Sequence, residues 1–271
     1  MKKLDPNSTP EVLAILARSE DCEIRKQVAR HFNTSCETLS ILSSDKDDII
    51  REAVANNLNS SSATLFNLAS DKENSVREAV ASNPNTSPDT LFILAKDEDY
   101  RVRSCVATNH NTSVEILTIL AEDPSYLVRE FVVDNPNCSI EILSRLAEDE
   151  EFIVRSAVAC NSKTTLEILT DLAEDEDSRV IVTVICNPKT PANILASFRN
   201  CWQEDIKKAL ACNEETPDDI LAVLGKDKAD SVREVVANNS KTPFDILKAL
   251  KKDPNYRVRE AASRNPNASW W

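Results

Sequence analysis

The run Thr86-Ser87-Pro88-Asp89-Thr90-Leu91-Phe92-Ile93-Leu94-Ala95-Lys96-Asp97-Glu98-Asp99-Tyr100-Arg101-Val102-Arg103 decides the fold. A Thr with a carboxylate three residues on opens a helix. Leu91, Leu94 and Ala95 then make one apolar stripe at helical spacing. A turn around Asp97 follows, and a second helix turns Val102, Val106 and Ala107 inward and ends at Asn109. Recurrence makes the run decisive. The Arg of a Val-Arg or Ile-Arg pair returns at Arg25, Arg51, Arg77, Arg103, Arg129, Arg155, Arg233 and Arg259, always 26 residues or a multiple of 26 apart. The two empty slots hold Ile181 and Lys207, and the Leu91 slot is Leu in every unit from Leu13 to Leu247. A fixed period of this kind means like units stacked on one another, not a globular core around one cleft.

Counting from the cap, ten units fill residues 8–33, 34–59, 60–85, 86–111, 112–137, 138–163, 164–189, 190–215, 216–241 and 242–267. With one Gly and no linker composition, the reading is a single repeat domain over 1–271. Helices of about ten residues are marginal alone in water, so stacking must stabilise them. The expected architecture is all-α: a right-handed α-solenoid of ten two-helix repeats, either α/α or α/3-10.

The cap spacing recurs as Thr34/Glu37, Thr112/Glu115, Thr164/Glu167, Thr216/Asp219 and Thr242/Asp245, with Pro217 and Pro243 expected at the first helical position. Much of the acidity is therefore assigned to helix starts, which favour negative charge. An Asp also stands six residues before the Arg slot in most units, the exceptions being Ser19 and Cys201. If each Arg pairs with the Asp of the next unit, both exceptions follow: no unit precedes Ser19, and the slot preceding Cys201 is Ile181. The predicted ladder includes Arg25–Asp45, Arg77–Asp97, Arg155–Asp175 and Lys207–Asp227. The same Asp row is a candidate cap for the second helix, as Asp123-Pro124 and Asp253-Pro254 suggest. The Asn slot, filled from Asn57 to Asn265 with His31 before it, is expected to tie down the loop that follows.

Val76-Arg77-Glu78-Ala79-Val80-Ala81-Ser82-Asn83-Pro84-Asn85-Thr86-Ser87, followed by Leu91, Leu94-Ala95 and Asp97, resembles the leucine-rich repeat variant family. The Asp and Val-Arg spacing is also similar to HEAT repeats. The resemblance extends over nearly the whole chain and implies a binding scaffold rather than a particular ligand. The Cys-rich iron–sulfur segment of one branch of that family has no counterpart in this sequence.

The formal charge of −13 disfavours a general nucleic-acid binder, which needs Lys and Arg against phosphates. It disfavours an anionic membrane surface for the same reason. No apolar run approaches the roughly 18 residues that span a bilayer, and Met1-Lys2-Lys3-Leu4 leads into no signal-peptide apolar region. The eight Cys form no Cys-x-x-Cys pair, so free thiols in a reducing cytoplasm are expected. One Gly rules out phosphate-cradling Gly motifs. No metal, cofactor or catalytic constellation is read from the sequence.

Slots that vary from unit to unit show what the stack displays. On the second helix, the slots three before, one after and five after the Arg share one face. The centre of that stripe reads Tyr100/Ser104/Thr108, Tyr126/Glu130/Asp134, Phe152/Ser156/Cys160 and Ser178/Val182/Cys186, while the flanks are largely charged. An apolar centre with a polar rim is how recognition surfaces are built; packing between neighbouring repeats is the alternative. Cys160, Cys186 and Cys212 hold one slot in three successive units, but stacked helices stand about 8–10 Å apart, so they read as small apolar side chains. The unit at 190–215 is aberrant: Phe198-Arg199-Asn200-Cys201-Trp202 replaces its Leu-Ala-x-Asp segment. Its Trp202 is either a docking point or a filler of its own gap. Trp270 and Trp271 are expected to cover the last layer.

The sequence thus suggests a non-enzymatic cytoplasmic scaffold for a protein or peptide with basic residues around an apolar anchor. The candidate contact residues are Tyr100, Tyr126, Phe152, Ser156, Cys160, Val182, Cys186, Trp202, Lys208 and Cys212. The alternative is a helical-repeat nucleic-acid-binding protein or an enzyme similar to the alkylpurine DNA glycosylases. For that reading Trp202, Arg199, Lys207 and Lys208 with Asp205 are the one local set that could serve.

Overall fold

In a computed structural model, residues 4–268 are described. They form twenty α-helices and one closing 3-10 turn, with no strand among the described residues. Trp270 and Trp271, expected to cover the last layer, lie outside the described residues. Two compact units divide the chain, Met1–Ile142 and Leu143–Trp271. Each is an α-solenoid of helix pairs: second helices pack on neighbouring second helices, and first helices such as Pro88–Leu94 lie against the second helices beside them.

Both helices of a repeat are α-helical and shorter than expected. The fourth repeat has seven residues in Pro88–Leu94 and nine in Tyr100–Thr108. The turns take the difference. Asn109 closes the second helix in an extended conformation, φ −70° and ψ 129°, and Ala95 and Asp97 wind the first helix into a tight turn through amide bonds to Leu91 and Leu94 carbonyls.

The core is a set of slots repeated down each unit. Leu13, Leu39, Leu65, Leu91 and Leu117 in the first unit, and Leu143, Leu169, Leu195, Leu221 and Leu247 in the second, are fully buried. Val80, Val106, Val158 and Val184 stand opposite them on the second helices, also fully buried. Burying one such side chain stabilises by about 2–3 kcal/mol, which short helices cannot supply from within themselves.

The caps differ from the sequence reading by one residue. The Thr of each expected box is not the cap. Ser35, Ser87 and Ser113 cap the first helices, each accepting from the amide three residues on. The Thr before each Ser is buried and turns back to the preceding helix: Thr34 Oγ1 donates to the Val28 carbonyl at 2.6 Å and Thr112 Oγ1 to that of Val106 at 2.6 Å. Each of these carbonyls also accepts the amide of the residue that closes its helix, His31 or Asn109, so the hydroxyl adds a second bond at the helix end. Pro217 and Pro243 accordingly sit at the cap position and not inside the first turn. The Asp row does not cap the second helix either. Asp123 and Asp253 accept from the amides of Ser125 and Asn255 two residues on, at 2.9 and 2.8 Å, and those later residues hold the cap position.

Candidate functional site

Two ladders fix the geometry on which any site must stand. Within each unit the ion-pair ladder joins the Arg or Lys of one repeat to the Asp of the next, as the exceptions implied. Arg25–Asp45, Arg77–Asp97 and Arg155–Asp175 close at 2.6 Å and Lys207–Asp227 at 2.7 Å. The forks are bidentate: Arg77 Nε and Nη2 donate to the two oxygens of Asp97 at 2.6 and 2.9 Å, while Nη1 donates to the Asp71 carbonyl of its own repeat at 2.7 Å. Arg25 finds the Ser19 carbonyl in the same way at 2.9 Å, so that slot needs no carboxylate. These guanidinium groups are buried and already matched; they are not a row waiting for phosphates. Where the ladder lapses, Ile181 and Cys201 pack instead against the apolar core of the second unit.

The second ladder is made of Asn, and its reach exceeds the expected local role. Asn109 Nδ2 donates to the carbonyls of Ala81 and Asn83 in the preceding repeat, at 2.7 and 3.1 Å, and its Oδ1 accepts from the Asn111 amide at 2.9 Å. Asn111 then clamps the Pro84 and Thr86 carbonyls at 2.6 and 3.3 Å. Sequence spacing located this Asn but could not show a partner 26 or 28 residues back.

The candidate contact residues fall in both units. In the first, Tyr100 and Tyr126 occupy one slot on consecutive second helices and are 40% and 37% exposed. Half-buried carboxylates, Glu78 and Glu130, lie on the second helices of the same unit. Partial burial, then Asp99 and Glu52, holds Glu78 above the usual carboxylate range against the pull of Arg101. Partial burial and then Asp134 do the same to Glu130, which forms no ion pair among the described residues. The Ser104 hydroxyl in the equivalent slot is buried with no hydrogen-bond partner.

In the second unit the stripe changes character. The Phe152 ring is not a bare anchor: the Arg179 guanidinium lies 3.2 Å from its centre, itself held by Asp177 at 2.6 Å. The Ser156 hydroxyl is buried without a partner. Val182 is half-buried, and Cys160, Cys186 and Cys212 are exposed thiols. Partial desolvation, then Cys212 and Cys160, push the Cys186 thiol up, away from thiolate reactivity. Cys186 and Cys212 share a groove of about 380 Å³ with Pro188, Asn213, Glu214 and Glu215. Lys208 is held by Glu204 at 2.7 Å. Trp202 is 82% exposed, so it fills no gap; Phe198 and Cys201 pack against the core there instead.

The set imagined for a nucleic-acid enzyme is neutralised from within. Arg199 pairs with Asp219 at 2.8 Å, Lys207 with Asp227 and Lys208 with Glu204 at 2.7 Å each. Those cations would have to break three ion pairs to meet a phosphate.

Sequence reasoning missed two exposed apolar features of the first unit. One is a row on the first helices, with Ile15, Ile41, Ile93 and Ile119 in one slot. The other is the pair Phe32 and Leu58 at loop tips, 68% and 66% exposed. The signal for the second was present: their slot is Pro84, Pro136 and Pro188 in other repeats.

Buried ladders that join like helix pairs define a helical-repeat scaffold. The family model described as leucine rich repeat variant matches residues 75–99, a stretch just under one repeat long. A solved structure titled a leucine-rich repeat variant with a novel repetitive protein structural motif superposes with a TM-score of 0.57, at 23% identity, over 92% of this chain and 88% of that one. An engineered protein (TM-score 0.35, 17% identity, 94% of this chain and 87% of that one) and YibA of Escherichia coli (TM-score 0.36, 17% identity, 94% and 92%) overlap too loosely to carry an argument. No curated protein matches. The chain is a helical-repeat protein whose fold is similar to that of a leucine-rich repeat variant.

Proposed function

We propose that the chain is a non-enzymatic cytoplasmic scaffold whose second-helix face receives a protein or peptide with basic residues around an apolar anchor. One observation carries this reading: Glu130, one helical turn after the exposed Tyr126, is half-buried and forms no ion pair among the described residues. A carboxylate removed from water without a partner is costly, and a Lys or Arg from outside would offset that cost. The Tyr126 ring supplies apolar area one turn away at small entropic loss. A surface held by two ladders also loses little freedom on binding. The charge of −13 steers a basic partner toward the scaffold and a phosphate polymer away.

The test is selection from a random peptide library, with wild type against Glu130→Lys and Tyr126→Ala, each checked for unchanged helix content. Enrichment of Lys or Arg beside an aromatic or aliphatic residue, lost in both variants, supports the reading. Selection that is unchanged by either variant rejects it, and salt-sensitive capture of DNA or RNA would restore the nucleic-acid alternative.

A further inference from the structure

We propose that the pocket between the C-terminal ends of helices Cys22–Arg30 and Asp48–Ala55 binds the free C-terminal carboxylate of a peptide ending in a bulky apolar residue. The cavity measures about 360 Å³ and is lined by Arg30, Phe32, Ala53, Asn56, Asn57, Leu58 and Asn59. Arg30 is exposed and forms no hydrogen bond or ion pair among the described residues, although the chain carries 45 acidic residues. A position in the last helical turn accounts for a cation there, but not for two exposed apolar side chains beside it.

The walls are preformed. The Phe32 ring stacks on His31, with centroids 4.9 Å apart and planes 15° apart. Asn59 Nδ2 donates to the Phe32 and Thr34 carbonyls at 2.6 and 3.0 Å and so fixes the loop. A site that is already ordered spends little binding energy on ordering. Guanidinium recognises carboxylate by charge-assisted paired hydrogen bonds. Arg30 and Phe32 are two residues apart, so charge and apolar contact are required close together. A terminal residue presents them that way, since its carboxylate and side chain leave the same carbon.

The equivalent groove of the second unit is a built-in control. It is of similar size, about 380 Å³, but its lining of Cys186, Pro188, Cys212, Asn213, Glu214 and Glu215 has two carboxylates and no cation. The same place in the repeat would repel the ligand that the first pocket attracts.

The experiment titrates acetyl-Gly-Leu-Phe, with a free carboxylate, into the isotope-labelled full chain at millimolar peptide and follows backbone amide shifts. Saturable shifts at Phe32, Leu58 and Asn59 are expected. Amidation of the peptide, and separately Arg30→Gln, should each weaken binding about tenfold, the loss of one charge-assisted contact. Leu58→Ser should weaken it for the free peptide as well. Absence of saturable shifts, equal binding of the amidated peptide, or indifference to Arg30→Gln overturns the proposal. So does equal binding of acetyl-Gly-Glu-Phe-amide, which would make an acidic side chain the ligand. Glu130→Lys, which tests the second-helix face, should leave these shifts unchanged, so the two readings can fail separately.

Discussion

The groove beside Arg30 and the groove beside Cys212 occupy the same place in the repeat and carry opposite chemistry. One joins a cation to Phe32 and Leu58; the other joins two thiols to Glu214 and Glu215. The backbone beneath them is the same because the ladders are the same: Asn57 reaches the Ala29 carbonyl at 2.7 Å, and Asn213 reaches that of Ile185 at 2.5 Å. The contrast teaches a division of labour. Buried slots define the scaffold, and the slots beside them are free to vary because they bear no part of the stacking.

The largest expected effect lies in the ladders, where one rung of the second unit, Lys207–Asp227, is more exposed than the Arg rungs of either unit. The side chains of Arg77 and Asp97 are 10% and 7% exposed, whereas those of Lys207 and Asp227 are 23% and 15% exposed. Arg77→Ala strands Asp97 and should cost about 3 kcal/mol or more in urea unfolding. Lys207→Ala should cost about 1 kcal/mol, nearer to an exposed pair. Equal costs would remove the difference in rung quality. The Asn ladder should show no such contrast. Asn109→Ala and Asn239→Ala each take the side-chain partner from one carbonyl, of Ala81 or Ala211, and from one amide, of Asn111 or Lys241, and should each cost about 2 kcal/mol; a gap between them larger than about 1 kcal/mol would show that the units use this device unequally.

The lapse in the ladder can be refilled. Ile181→Arg alone places an unpaired cation against the core of the second unit and should destabilise by about 2–3 kcal/mol. Adding Cys201→Asp should recover most of that loss, because a buried pair and an apolar pair of similar volume are nearly equivalent. Failure of the second change to recover stability, read from the double-mutant cycle, would show that the pairing rule does not extend to this repeat.

Acid should weaken both units through the same groups. Burial acts to raise Asp45, Asp71 and Asp227, but their Arg or Lys bonds and an amide two residues on outweigh it, and the Arg233 bond holds Asp253 down directly. All four are lowered, so their contribution to stability is fully present above the unfolded value of about 3.9 and is lost as pH falls through the folded values. Glu78 and Glu130 are raised and act the other way: stability falls as pH climbs from the unfolded glutamate value toward the folded ones. Glu130→Gln should therefore give a small rise in Tm at neutral pH and none at pH 3. A fall in Tm at neutral pH would mean that the carboxylate is satisfied internally, against its role as a waiting partner.

Much of this was legible in one dimension. The period of 26 residues, the Leu and Val slots and the pairing of each Arg with the next Asp all came from spacing and from the exceptions Ser19 and Cys201. Spacing failed by one residue at the caps, because Thr and Ser stand side by side and both can accept an amide; which one caps depends on whether the other is buried against the preceding helix. It failed at Trp202 because an aberrant segment looked the same whether its Trp filled a gap or stood in solvent. It also gave Phe152 as a contact residue without the cation that covers it, since Arg179, one repeat on, could not be seen over its ring.

The sequence by itself determined the repeat, its helix pairs and the Arg–Asp ladder, because a slot repeated every 26 residues meets the same surroundings in each layer. Only the tertiary structure decided which side chains remain accessible, where Asn109 and Asn111 reach, and that Arg30, Phe32 and Leu58 share a pocket. Those facts depend on contacts between residues about one repeat apart, and distance along the chain does not specify which groups meet there.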